Sequence, residues 1–218
     1  MKKIEMDNVI LNFGKTEILK SVYFKAEKKQ ITGILGSNGS GKTSLLRILF
    51  GELKPQSKLI RIDDKPILKP LYTQNNIRFL PQFHIIPSTF SLQKAFNYFN
   101  VALDSFLNHF PEFKKQKHIK FKILSGGERR LIETYILLKS KVDLVILDEP
   151  FSHLAPLYIQ KIKTLIIEEK KNKAIIITDH LFKDILDISD KNYFLKDGWC
   201  KLLKNKEDLI FYKYTNTM

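Results

Sequence analysis

One eight-residue stretch, Gly36-Ser37-Asn38-Gly39-Ser40-Gly41-Lys42-Thr43, constrains this chain more than any other. It follows a short apolar run, Ile31–Leu35, that reads as a buried strand, and it opens a helical stretch, Lys42–Phe50, which Gly51 stops. Glycines at 36, 39 and 41 let the backbone wrap closely round an anion with its N–H groups turned inward. A helix beginning near Lys42 adds the positive end of its dipole. In this pattern, G-x-x-x-x-G-K-[ST], the lysine reaches the β- and γ-phosphates of a nucleotide and the hydroxyl after it binds Mg²⁺. Gly36, Ser37, Asn38, Gly39, Ser40, Gly41, Lys42, Thr43 and Ser44 are therefore candidate nucleotide-binding residues, with Thr43 also a candidate metal ligand.

The rest of the chain sets this loop in an α/β order. Lys3–Phe13 and Ile18–Ala26 read as strands joined by a turn at Gly14-Lys15, an antiparallel N-terminal unit. Leu59–Ile62, Ile77–Leu80, Leu144–Leu147, 174–178 and 192–196 read as further strands. Helical patterns at 156–169 and 181–187 alternate with them, which implies a parallel sheet covered by helices. The segment 83–138 interrupts this order with helical signals only. Phe90 to Phe113 places apolar residues at threes and fours, and a helix from Ser125 runs to about Lys139, with a basic loop, Lys114–Lys122, between them. The expected division is a core with a β-subdomain over 1–82 and 139–218, and an inserted helical subdomain over 83–138. At 44% hydrophobic and 28% charged, the 218 residues suit one such globular domain and exclude a disordered chain. No apolar run approaches the ~18 residues of a membrane helix. The single cysteine, Cys200, excludes an internal disulfide or a cysteine zinc cluster. No signal peptide is visible, so a soluble, intracellular protein is expected.

Two further motifs carry chemistry. Leu144-Val145-Ile146-Leu147-Asp148-Glu149-Pro150 is an apolar strand that ends in two acids. Alone this marks only where a buried strand exits. With a phosphate loop upstream, it supplies the acid that a nucleotide-hydrolysing fold needs at a neighbouring strand's end to hold the metal. Asp148 suits the metal. Glu149, one residue further, suits a base that orients the attacking water and takes its proton. Leu124-Ser125-Gly126-Gly127-Glu128 has a plain reading as a capped helix start. It is also a second anion site, and it makes sense if it serves a nucleotide held by another subunit.

The ordered set GSNGSGKT (36–43), FLPQ (79–82), LSGGE (124–128), LVILDEP (144–150) and ITDH (177–180) resembles the ATP-binding cassette (ABC) ATPases, the motor subunits of ABC transporters. The resemblance covers essentially the whole chain. It implies the family's fold: a P-loop core with an antiparallel β-subdomain and an inserted helical subdomain. It implies ATP and Mg²⁺ as cofactors and ATP hydrolysis as the activity, coupled to transport through a separate membrane-spanning permease. It makes Gln82 the glutamine that contacts Mg²⁺ and senses the γ-phosphate, and His180 the histidine on the γ-phosphate. Phe13 becomes the aromatic on adenine, and Ser125, Gly126, Gly127 and Glu128 the signature that closes on a partner cassette's ATP. Cassettes of this kind pair head-to-tail, as homodimers or heterodimers. They lie in the cytoplasm, peripheral on the inner face of the membrane. The resemblance places the permease's coupling helices beside the Q-loop, here the stretch after Gln82; of Phe83, Ile85, Phe90, Phe96 and Phe99 some must belong to the core, and the exposed ones would form the docking patch.

Three departures from the family pattern stand out. Glu128 replaces the commoner Gln. Ala155 stands where the D-loop usually has Asp. No acidic, glycine-containing element precedes the signature. The net charge of +14 comes from 37 basic and 23 acidic residues, but only five of the basic ones are arginines, the residue that phosphate and base recognition favours. No nucleic acid partner is expected. The second reading is a soluble ABC ATPase without a transport role, an assembly or repair factor. A cassette acting only as a structural partner is opposed by Glu149 and His180.

Overall fold

The computed structural model describes residues 1–204 and Asp208, so the end of the core range 139–218 lies mostly outside the described residues. Strands β1 (Lys3–Phe13) and β2 (Thr16–Glu27) form an antiparallel pair across Gly14-Lys15. Their alternation buries Ile4 and Met6 and turns Lys3 and Glu5 outward. It slips at Asn8 (φ 50°), after which Val9 and Leu11 face the core. Strand β3 (Ile31–Leu35) then leads through the phosphate loop into helix α1 (Lys42–Phe50). Strands β4 (Ser57–Ile62) and β5 (Lys65–Pro66) complete a four-stranded sheet in the order β2-β1-β4-β5.

The second sheet is built from β3, β6 (Ile77–Leu80), β7 (Leu144–Asp148), β8 (Ala174–Thr178), β9 (Lys191–Lys196) and β10 (Trp199–Leu202), in the order β10-β9-β3-β8-β7-β6. Every pairing is parallel except β10 with β9. The acid-bearing strand β7 is therefore not the neighbour of β3, as the sequence suggested, because β8 lies between them. Two short connections were not visible in the periodicity. Asp63-Asp64 (φ 50° and 67°) and Asp197-Gly198 (φ 51° and 82°) turn β4 into β5 and β9 into β10. Both central residues of each turn have the positive φ of a tight hairpin.

The parallel strands are apolar throughout because both faces are covered. Ile34, Ile146 and Ile176 face α1 and the antiparallel sheet. Leu35, Val145, Leu147, Ile175 and Ile177 face α4 (Gly126–Lys139), α5 (Pro156–Glu169) and α6 (Phe182–Ile188). Residues paired across β7 and β8 share a face, as Val145 does with Ile175 and Leu147 with Ile177. A one-residue slip would exchange the two cores.

The segment between β6 and α4 is not one helical run. Helix α2 (Leu92–Tyr98) ends at Phe99, and Asn100 adopts φ 54°. Helix α3 (Leu103–His109) follows, and 3₁₀ turns at Pro111–Gln116 and Phe121–Ile123 cut into the basic loop. An aromatic cluster ties this segment to α4: Phe106 lies 5.1 Å from Phe96, 5.0 Å from Phe110 and 5.0 Å from Tyr135, centroid to centroid. Such pairs add ~0.5–1.5 kcal/mol each beyond their buried area. The C-terminal half of α4 is thereby seated, at Tyr135, on a packed base.

Candidate functional site

The phosphate loop takes its shape from glycine at a few points. Gly41 has φ 102°, and a side chain there would press on Ile18 and Leu19. The loop delivers Lys42 to its mouth, where the ammonium donates to Gly36 O at 2.8 Å and Ser37 O at 3.0 Å. Burial lowers the pKa of Lys42, while Glu149, Asp148 and Asp179 pull it back up. Around it opens a cleft of about 440 Å³, lined by Phe13, Ile18, Asn38, Gly39, Gly41, Lys42, Thr43, Ser44, Gln82, Glu149 and His180. Gly36, Ser37 and Ser40 complete the loop without lining the cleft. The Phe13 ring at the end of β1 is 54% exposed, free to take a flat partner.

Strand β7 ends with Asp148 wholly buried, and neither carboxylate oxygen meets a donor in hydrogen-bond geometry. Burial is the main cause that raises its pKa to about 6, with the Glu149 charge adding to it. The Thr43 hydroxyl, near but not in bonding geometry, opposes the rise with Arg130 and Lys42. An unpaired buried carboxylate is costly unless a cation completes it. Asp148, the Thr43 hydroxyl and the Gln82 amide are the hard donors that Mg²⁺ takes beside nucleotide phosphates.

Glu149 is held in a conformation that a non-glycine residue seldom adopts, with φ 53°. Its N–H donates to Thr178 O at 2.7 Å, and its carbonyl accepts from Arg130. Its two carboxylate oxygens accept from Gln82 Nε2 at 3.0 Å and Ser152 Oγ at 3.2 Å. The same Gln82 amide donates to Thr43 Oγ1 at 3.0 Å. His180 follows β8 and is anchored through Asp179, which lies 3.2 Å from its Nδ1 and accepts from the N–H groups of Phe151 and Leu181.

Ser125, Gly126, Gly127 and Glu128 are not brought into this cleft. They cap α4, where the Ser125 hydroxyl accepts from Glu128 N and the Glu128 carboxylate accepts from Ser125 N. A side chain on Gly127 would meet the backbone oxygen of His153 at 2.4 Å, so the signature and the loop after Glu149 pack backbone to backbone. Gly126 instead borders a neighbouring cleft of about 290 Å³, which shares Gln82 and Glu149 with the first and adds His84, Arg130, Ser152 and His153. Of the stretch after Gln82, Phe83 is 61% exposed. Ile85, Phe90 and Phe99 pack against the core, and Phe96 is buried, so these four do not form an open apolar surface.

Sequence reasoning passed over Arg130, Glu133 and Asp179. Arg130 donates to the carbonyls of Pro81, Asp148 and Glu149, tying the ends of β6 and β7 together. The signal for Glu133 was a lone acid in the apolar stretch 131–138 of a helix.

The sequence profile of the ABC transporter family matches residues 19–152. This chain belongs to the ABC transporter family. The zinc import ATP-binding protein of Rickettsia bellii is 33% identical to it over 205 residues, covering 92% of this chain and 86% of the relative. The lipopolysaccharide export ATP-binding protein of Haemophilus influenzae is 26% identical over 216 residues, covering 91% and 88%. A solved structure of an ATP-binding subunit of an ABC transporter superposes with a TM-score of 0.79 at 17% identity, over 97% of this chain and 93% of that one. A nucleotide-free cassette superposes at 0.76, with 21% identity over 99% and 96%. This ABC cassette has the family's fold, and it is an ATP-binding, ATP-hydrolysing subunit of a transporter. The transporter names of these relatives favour that reading over a soluble assembly or repair factor. Among the described residues, no helix is long and apolar enough to cross a membrane.

Proposed function

We propose that two such cassettes close head-to-tail over two ATP molecules and pass that motion to a separate membrane-spanning permease. The observation that carries this reading is the convergence of Lys42, Thr43, Gln82, Glu149 and His180 on one cleft, with the unpaired Asp148 carboxylate behind it. Lys42 and the loop N–H groups bind the β- and γ-phosphates, and Phe13 stacks on adenine. Thr43 and Asp148, with Gln82 beside them, would hold Mg²⁺, which would supply charge neutralisation at the phosphates. Glu149 orients a water and takes its proton as the water oxygen bonds to the γ-phosphorus. The bond to the bridging oxygen breaks and ADP leaves with that electron pair. His180 hydrogen-bonds the γ-phosphate.

Ser125–Glu128 lie outside the cleft of their own chain, which suits a role on the partner cassette's nucleotide. The exposed Phe83 ring, beside the Gln82 that reaches the cleft, suits contact with the permease. The subunit would then be peripheral on the cytoplasmic face of the membrane. Relatives named for zinc import and for lipopolysaccharide export match over most of this chain, as expected if cargo is chosen elsewhere in the transporter.

Glu149→Gln tests the assignment. It removes the proton acceptor and should lower the steady-state ATPase rate by about 10²–10⁴ while ATP binding persists. A Glu149→Gln enzyme that turns over at the wild-type rate would show that another group is the base.

A further inference from the structure

Glu133 lies on α4, about one and a half turns beyond the signature, and is completely buried. A carboxylate in that position is tolerated only if its oxygens are fully engaged. They are: Oε1 accepts from the N–H groups of Ile85 at 2.9 Å and Ile86 at 3.0 Å, and Oε2 lies 3.0 Å from His84 Nδ1. All three partners follow Gln82 directly. On the other side of Gln82, Arg130 from the same helix donates to Pro81 O, while Arg129 adds to the Glu133 side by donating to Ile86 O at 3.2 Å. Gln82 and Phe83 are thus the short span left free between two grips of one helix. From that span the Gln82 amide reaches Thr43 Oγ1 and Glu149 Oε1, both at 3.0 Å.

We propose that Glu133 is a positioning residue for hydrolysis, fixing the backbone after Gln82 so that the Gln82 amide stays between Thr43 and Glu149. This rests on the role given to Gln82 above. Helix α4 also carries Ser125–Glu128 at its start, and Arg130 on its next turn donates to the Asp148 and Glu149 carbonyls. A displacement of α4 is therefore carried through Glu133 and Arg130 to Gln82 and Glu149 together. Glu133 touches neither nucleotide nor water in this scheme. Its effect passes entirely through Gln82.

The test is a double-mutant cycle on the purified full chain, using steady-state ATPase rate against Mg²⁺ concentration, ATP affinity and melting temperature. Glu133→Asp keeps the charge but is one methylene too short to hold both N–H groups. It should lower kcat about 10-fold or more, the scale of a ~1 Å misplacement, and raise the Mg²⁺ concentration needed for half-maximal rate. ATP affinity should stay within about 2-fold, since Lys42 and the loop are untouched. Glu133→Gln retains an oxygen for both N–H groups and should restore kcat to within about 3-fold of wild type. In a Gln82→Ala background, Glu133→Asp should cause no further loss of kcat. Should Glu133→Asp fail to fold, His84→Ala in both backgrounds gives the same comparison. Equal losses in both backgrounds, or a Glu133→Asp enzyme with wild-type kcat, overturn the inference. A Gln82→Ala enzyme that is itself fully active overturns the role of Gln82, and the inference with it. The inference fails alone when Gln82→Ala is slow and the two losses multiply.

Discussion

Removing the buried charge at the end of β7 should make the metal-free protein more stable. The Asp148 carboxylate is wholly buried and unbonded. Burial chiefly, and Glu149 after it, raises its pKa from 3.8 to about 6. The folded chain therefore holds that proton more tightly than the unfolded chain. The contribution to stability is greatest below pH 3.8, falls as pH rises toward 6, and is fully lost above the folded value. That rise, at ~1.4 kcal/mol per tenfold change in proton affinity, is a penalty of about 3 kcal/mol at neutral pH. Asp148→Asn removes the charge but leaves an unpaired buried amide, which costs about 1 kcal/mol or more. The net gain is then ~1–2 kcal/mol, or roughly 2–8 °C in Tm for a chain of this size. Thermal melts in EDTA across pH 5 to 8 measure it. Wild type should lose ~1 kcal/mol between pH 5 and pH 7 that Asp148→Asn does not lose. In saturating Mg-ATP the order should invert, because stabilisation by a ligand follows its affinity and the variant lacks the anion proposed to hold the metal. An Asp148→Asn protein that melts below wild type in EDTA at pH 7.5, with the same pH slope, would refute the unpaired-carboxylate account.

Three further substitutions probe the loop between Glu149 and α5 and the signature packed on it. Gly127→Ala drives a Cβ to within 2.4 Å of the His153 carbonyl and should cost ~1–3 kcal/mol in a melt, while Gly126→Ala meets nothing within 4 Å and should melt as wild type. Equal melting of the two variants would contradict this backbone packing. Ala155 occupies the N-cap of α5 in extended conformation with no side-chain cap, and no acid lies in the first turn. Ala155→Asp should therefore raise stability by ~0.5–2 kcal/mol in the isolated subunit. Unchanged melting would mean the new carboxylate does not reach the free N–H groups.

The phosphate loop, the α/β alternation and most strand cores were legible because each depends on neighbours in sequence. Period-two and continuous apolar runs marked β1, β3, β7 and β8, and the glycine spacing marked the loop before α1. The break at Asn100 escaped because the aromatic spacing of 90–113 continues unbroken across it, whereas the backbone turns back at φ 54° to pack Phe96 on Phe106. The Asp197-Gly198 pair was a hairpin signal in plain view, and Trp199–Leu202 became a strand by pairing with β9 across it.

The motif residues of the cleft could be named from sequence, because P-loop chemistry restricts residue type at fixed spacing. Their arrangement could not. Only the folded sheet places β8 between the loop strand and the acid strand, leaves Ser125–Glu128 outside the cleft, and forces Glu149 to φ 53°. Arg130 and Glu133 carried no motif, since a charge on a helix reads as solvent-facing until its partners are known. Those partners, the carbonyls of 81, 148 and 149 and the N–H groups of 85 and 86, lie 18 to 49 residues away in the chain. A buried charge is stable only where such distant groups converge on it, and that convergence is a property of the tertiary structure.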